Sequence, residues 1–361
     1  MGTKHRYPFL LALLCGLLWV SPALAETEPL RLLIPFFFGP TPLSQHVRTT
    51  INFEIIKAFR AVDAPEKGAW ILYGQEALPQ PTHDAVLSAA AWPSVRADLV
   101  IWGQVYKYDD GVVVQLYLTL TPLIKKRQVR PELWTLTLKD GRDQPVRLEL
   151  DIPGQFYQFE PMLLAPEAIL AFADPQGMPL YSDRQGGEVI GRVGEVMQFL
   201  EIHDDTLLIA SGDLQGWVRT VPLSRQRSEA IDFSEGMVRL LRGDWGGARQ
   251  SFSAVLENSS LPQSLRIHAL IYSGLAREKG GLSGRGEFEA AYAINRLDKA
   301  ASAYLLMSQV AEIARLQQSG AREQLPQARQ RLQATLEATK VLFANDDPWL
   351  EKLRQLSRPP D

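Results

Sequence analysis

The 361-residue chain has one cysteine, Cys15, and it lies inside an amino-terminal apolar stretch running from Phe9 to Val20. Lys4 and Arg6 precede that stretch, Ser21 and Pro22 end it, and Ala23-Leu24-Ala25 places small residues just ahead of Glu26. A basic start, an apolar segment of roughly a dozen residues and an Ala-X-Ala exit describe a secretory signal peptide over residues 1–25, cleaved after Ala25. The segment is shorter than the ~20 apolar residues of a membrane span, so no stable anchor is expected after processing. Leu14 is too large for a lipoprotein site at Cys15. The mature chain then lacks cysteine altogether, which excludes disulfides, thiolate metal sites and a cysteine nucleophile.

An excess of basic charge is missing as well. The chain carries 38 basic and 41 acidic residues, and loss of Lys4 and Arg6 moves the net charge from −3 to about −5. Nucleic-acid binders carry a basic field, so nucleic acid is not an expected partner. Histidine is scarce. Beyond His5 there are only His46, His83, His203 and His268, each isolated and none paired at metal-ligand spacing. Asp204-Asp205 and Asp346-Asp347 lack the alternating oxygens and the glycine of a calcium loop, and no Gly-X-Ser-X-Gly elbow occurs. The one glycine-rich run, Gly280-Gly281-Leu282-Ser283-Gly284-Arg285-Gly286, sits between helical patterns and is followed by Glu287. It reads as a helix connection, where a phosphate cradle would leave a strand. Lys125-Lys126-Arg127 reads as a solvated basic run between strands. No cofactor, metal or catalytic residue is expected.

What remains about 336 residues long divides into three kinds of pattern, a multidomain α+β chain. Residues 30–150 alternate strand and helix signals. Strands are expected at Leu30 to Phe37, Trp70 to Tyr73, Leu99 to Lys107 and Val112 to Leu120. Leu43, Val47, Ile51, Ile55 and Phe59 recur at steps of four and mark one face of a helix. A second, Ala-rich helix runs from Asp84 to Trp92. Asp109-Asp110-Gly111 signals a hairpin because its central residues need positive φ, and Asp140-Gly141 signals another, between Leu133 to Leu138 and Val146 to Leu150. The order suggests a small α/β layer on one sheet. Pro153, Pro161 and Pro166 punctuate 151–167 as a linker. Residues 168–224 are short strands separated by turns, and from Ser228 to about 356 the composition turns to Ala, Leu, Arg, Glu and Gln, the vocabulary of helices.

Three family resemblances follow from particular residues. Ala97-Asp98-Leu99-Val100-Ile101-Trp102-Gly103-Gln104-Val105 with its hairpin, and an opening strand through Pro35 and Phe36, resemble the amino-terminal domain of TolB and related periplasmic proteins over residues 30–122. That resemblance implies a domain that engages other proteins; the family's propeller does not follow here. Val189-Ile190-Gly191-Arg192-Val193-Gly194-Glu195 and the ending Gly216-Trp217-Val218 resemble a bacterial SH3-type small barrel, with Pro179-Leu180-Tyr181 replacing the usual Asn-Val-Arg cluster and Asp204-Asp205-Thr206 standing where a Trp begins the third strand. Counted from Glu229, Gly236, Ala248 and Phe252 fall at the small, small and aromatic positions of a tetratricopeptide repeat. Ala269, Gly274, Ala276, Phe288, Ala290 and Ala291 make a fainter second unit, and Ala300 to Leu316 with Leu332 to Phe343 a third helical hairpin.

Modules of these kinds mostly bind proteins or peptides. The expected function is therefore a non-catalytic periplasmic scaffold or adaptor in the cell envelope, its helical array offering a concave face to a partner segment. The candidate ligand- or partner-binding residues are Trp217 and Tyr181, Trp217 being either a groove residue or a core residue of the barrel. Two alternatives stand beside this: a peptidoglycan-binding protein acting through the SH3-like unit, and a hydrolase with a composite site in the α/β domain.

Overall fold

The computed structural model describes residues 30–59 except 42, 70–73, 78, 80–139 except 110, 145–172, 177–194, 198–203, 205–221, 223, 228–344 and 347–357. The expected leader with its Ala25 cleavage point, and the turn residues Asp110, Asp140-Gly141, Asp204 and Asp346, lie outside this set.

The first sheet starts with β1 (Arg31–Ile34), β2 (Trp70–Tyr73), β3 (Leu99–Tyr108) and β4 (Gly111–Leu120), with α1 (Leu43–Phe59) and α2 (His83–Ala90) between them. β1 pairs in parallel with both β2 and β3, and β3 turns back antiparallel into β4. The chain steps one way from β1 to β2 and the other way, past β1, to β3. Right-handed crossovers in opposite directions put their helices on opposite faces. The packing follows this rule. Val47, Ile51 and Ile55 of α1 join Leu32, Ile34, Leu99 and Ile101 on one face, and Val86, Ala89 and Ala90 of α2 join Leu33, Val100 and Trp102 on the other. Thr82 starts α2 by accepting the Ala85 amide at 3.3 Å.

Two expectations fail beside β4. The proline-punctuated stretch 151–167 is no linker: β7 (Phe156–Gln158) and β8 (Met162–Leu163) both pair antiparallel with β4 and complete the sheet. Prolines at 153, 161 and 166 flank these short strands and leave their ladder amides intact. Conversely, β5 (Thr135–Lys139) and β6 (Pro145–Glu149), expected within the same layer, form a separate two-stranded hairpin that packs against the last helices. The basic run is also misread at its last residue. Lys125 and Lys126, in the short α3 (Leu123–Lys126), are exposed. The Arg127 guanidinium is buried and paired with Asp98, whose Oδ2 also accepts the Arg31 amide at 2.9 Å. Burial pushes the Asp98 carboxyl above its usual range, and the Arg31 amide and Arg127 charge work against that rise.

After α4 (Pro166–Phe172) comes the second sheet, from β9 (Pro179–Tyr181), β10 (Val189–Arg192), β11 (Gln198–His203), β12 (Thr206–Ser211) and β13 (Leu214–Arg219). Its antiparallel order is β10-β9-β13-β12-β11, and among the described residues the path stays open between β10 and β11. Leu180, Leu207, Ile209 and Val218 point to one side, into the same apolar core as the first sheet.

Seven α-helices follow among the described residues: α5 (Glu229–Arg242), α6 (Trp245–Glu257), α7 (Gln263–Lys279), α8 (Arg285–Ile294), α9 (Lys299–Gln318), α10 (Leu325–Thr339) and α11 (Pro348–Ser357). Each of α5 to α10 packs on the next as a stack of hairpins. Close approach within the first two hairpins depends on glycine. A Cβ at Gly236 would stand 2.8 Å from the Phe252 ring, and one at Gly274 would stand 2.6 Å from Phe288. Gly243 ends α5 at φ 83°, a left-handed value that favours glycine, and Asp244 then caps α6 through the Gly247 amide at 2.9 Å.

The helical array is fused to the sheets. Arg130 donates from Nε to the Leu241 carbonyl at 3.0 Å and from Nη2 to that of Arg242, placing a cation at the negative end of α5. One apolar core runs without a break from Leu32 in β1 through Val218 in β13 to Leu332 in α10.

Candidate functional site

Stacked helical hairpins offer a groove along their first helices, here α5, α7 and α9. Phe233, Tyr272 and Tyr304 stand on these three in turn and are fully buried. The chain's own residues 151–159 cover them. Tyr304 donates its hydroxyl to the Asp151 carbonyl at 3.1 Å, and the Tyr157 and Tyr272 hydroxyls meet at 3.0 Å. The Tyr157 ring lies 4.7 Å from that of Phe233 and meets His268 edge-on at 5.5 Å, while Phe159 reaches Phe233 at 5.8 Å. Burial drives all three tyrosines well above the ordinary phenol pKa, and the neighbouring Tyr272 adds to the rise at Tyr157. Burial likewise lowers the pKa of His268. Burial thus favours the neutral form of each of these groups. They form a seam, and the expected open concave face is closed along its α5 to α9 length by the molecule itself.

The outer side of the second sheet is different. Strand alternation sends Leu180, Gly216 and Val218 inward, and it sends Tyr181 and Trp217 the other way, half-buried. The two are register partners on adjacent strands, β9 and β13. Leu208 of β12 faces Trp217 on its other side and faces Glu201 of β11 in turn. The His203 ring lies 5.7 Å from Trp217, held by a 2.8 Å contact from Nε2 to Glu201 Oε1. Arg184 donates to Thr206 Oγ1 at 3.3 Å, and Arg219 donates to the Gln185 carbonyl at 3.1 Å. The result is a shallow aromatic face with one carboxylate and two guanidiniums around it, on strands immobilised by the core behind them. Such a face can stack on a planar or apolar group and bond to its polar edges.

The two sequence-nominated residues are thus brought together, with Trp217 on the solvent side of its strand and away from the core. Leu208, Glu201 and His203 were missed because membership of this face depends on cross-strand register, which sequence spacing does not carry. The seam was missed for another reason. Tyr157 and Phe159 alternate with Gln158, a strand signal too short to stand out between Pro153 and Pro161.

Among the described residues, no group of three or more His, Asp or Glu is placed to hold a metal ion, and no helix is long and apolar enough to cross a membrane. No protein-family model, no curated protein and no solved structure matches this chain.

Proposed function

We propose that this protein is a non-catalytic periplasmic scaffold of the bacterial envelope that docks a partner protein or peptide on the outer face of its second sheet. The observation that carries this reading is the Trp217–Tyr181 pair, half-exposed side by side on strands whose opposite face is locked into the core. Aromatic residues on a rigid support contribute large contact area at low entropic cost, which is why they dominate binding hot spots. Export rests on the leader, with Glu26 as the expected first residue of the mature chain.

The module readings have separate support. The SH3-like reading of residues 168–224 rests on five short antiparallel strands ending in Gly216-Trp217-Val218. The tetratricopeptide-like reading rests on the Gly236–Phe252 and Gly274–Phe288 contacts, at equivalent places in successive hairpins. The TolB-like reading of the first domain rests on its β-α-β-α order and the β3–β4 hairpin.

A photo-crosslinking residue at Gln215 or Arg219, exposed beside Trp217 on the same strand face, tests the proposal in living cells. Capture of one envelope protein from these positions, lost on Trp217→Ala, is the expected result. Capture that is absent, or indifferent to Trp217→Ala, refutes the docking face. A second reading is favoured by Arg184 and Arg219, whose guanidiniums suit the carboxylates of cell-wall stem peptides. Sedimentation of the protein with purified peptidoglycan, abolished by Trp217→Ala, selects it.

A further inference from the structure

The seam is open at one end. Where α9 passes residues 149–153, a cavity of about 470 Å³ remains, bordered on its far side by Phe343, Asp347 and Trp349. Ligand pockets of side-chain and small-molecule size have volumes of this order. One wall is aromatic: Phe343 and Trp349 stack with ring centroids 5.4 Å apart. The rim is acidic, with Glu149, Asp151, Asp298 and Asp347 bordering the space against one cation, Lys299.

The carboxylates differ in their commitments. Asp298 and Asp347 start helices, accepting the Ala301 and Trp349 amides at 2.8 and 2.9 Å. The side chains of Asp151 and Glu149 are 96% and 66% exposed and touch Lys125 and Arg147 at 2.8 and 3.0 Å. Exposed pairs of this kind hold little energy and exchange partners readily. The aromatic wall, moreover, already carries a cation. The Lys299 ammonium lies 5.4 Å from the Phe343 centroid, within cation–π range.

We infer that this cavity receives a cationic side chain from a partner chain, seated on the Phe343–Trp349 wall and met at the rim by Asp151 and Glu149. A guanidinium fits best, because its plane stacks on a ring while its edge donates to carboxylates. Lys299 is the resident stand-in that the incoming cation displaces. The site is remote in the chain from Trp217 and does not rest on the docking face proposed above.

Calorimetric titration of the exported chain at low salt tests this with acetyl-Gly-Arg-Gly-amide, against the corresponding Glu and Leu peptides. The arginine peptide is expected to bind at least about tenfold more tightly than either. The double change Glu149→Gln with Asp151→Asn alters only exposed side chains and should weaken it about tenfold. Lys299→Met should tighten it severalfold, since the competitor for the wall is gone, and Trp217→Ala should leave it unchanged. Equal binding of the three peptides, indifference to the double neutralisation, or weaker binding by Lys299→Met would each overturn the assignment.

Discussion

If the tyrosine seam joins sheets and helices into one folding unit, removing Tyr157 should lower the melting temperature of the whole chain in a single step. Tyr157 is buried among Phe233, His268 and Tyr272. Truncating a buried aromatic to alanine costs about 3–5 kcal/mol, and losing the Tyr157–Tyr272 hydroxyl contact adds about 1 kcal/mol. Tyr157→Ala should therefore cost about 5 kcal/mol, and Tyr157→Phe, which keeps the ring, about 1–2 kcal/mol. The size of the thermal shift then reports the size of the cooperative unit. At ~2.1 cal/mol/K per residue, roughly 330 residues unfolding together give about 0.7 kcal/mol/K, hence a shift of about 7 °C for Tyr157→Ala. A helical array of roughly 130 residues unfolding alone would shift by about 18 °C and leave the sheets behind. Helix ellipticity at 222 nm and tryptophan fluorescence, followed through the same melt, separate the cases. Two transitions in the parent protein, or a helix signal indifferent to Tyr157→Ala, would refute the reasoning.

Other consequences are checked by equilibrium unfolding. Tyr157, Tyr272 and Tyr304 have folded pKa values above the unfolded value near 10, so the native state keeps protons that the unfolded chain releases. Stability should be intact below pH 10 and then fall by up to ~1.4 kcal/mol per pH unit for each residue, about 4 in all, with the tyrosinate absorbance of these three residues appearing only as the chain unfolds. Arg127→Met leaves Asp98 buried without its charge partner, with the Arg31 amide still donating to it, and should cost about 3–5 kcal/mol at neutral pH, less in acid where Asp98 is protonated; adding Asp98→Asn should recover most of it. Gly274→Ala drives a methyl against Phe288 and should cost about 1–3 kcal/mol, whereas Gly246→Ala, with open space around it, should stabilise by about 0.5–1 kcal/mol.

Local patterns were legible where one element decides its own conformation. The step-of-four series from Leu43 to Phe59 marks α1 with its observed bounds, and Trp70 to Tyr73 marks β2. The glycine–aromatic spacing in the first two hairpins anticipates Gly236 on Phe252 and Gly274 on Phe288. Illegible were the features that depend on which distant segments meet. Arg127 looks solvated until Asp98, 29 residues away, supplies its partner. Residues 151–167 look like a linker because their apolar alternation is short; what orders them is a β4 edge on one side and three helices on the other. The α11 helix and the 470 Å³ cavity beside it were not anticipated, since the cavity wall unites residues near 150, 300 and 349.

Self-occupancy of the groove constrains where a partner can bind. To enter between α5 and α9, a partner must first remove residues 151–159. That removal forfeits the burial of Tyr157, the hydroxyl contacts of Tyr272 and Tyr304, and the β7 ladder to β4. Taking about 4 kcal/mol for the ring and about 1 kcal/mol for each of four hydrogen bonds, the cost is about 8 kcal/mol. A displacement cost of ~8 kcal/mol converts an intrinsic nanomolar affinity into a millimolar one. Partner contacts should therefore concentrate on surfaces that need no such exchange. The Trp217–Tyr181 face and the open end beside Phe343 and Trp349 both meet that condition, and two modest contacts on one rigid body reinforce each other when a single partner spans them. A partner whose affinity survives both Trp217→Ala and the Glu149→Gln, Asp151→Asn pair, yet falls on Tyr272→Phe without loss of stability, would show that the groove opens after all.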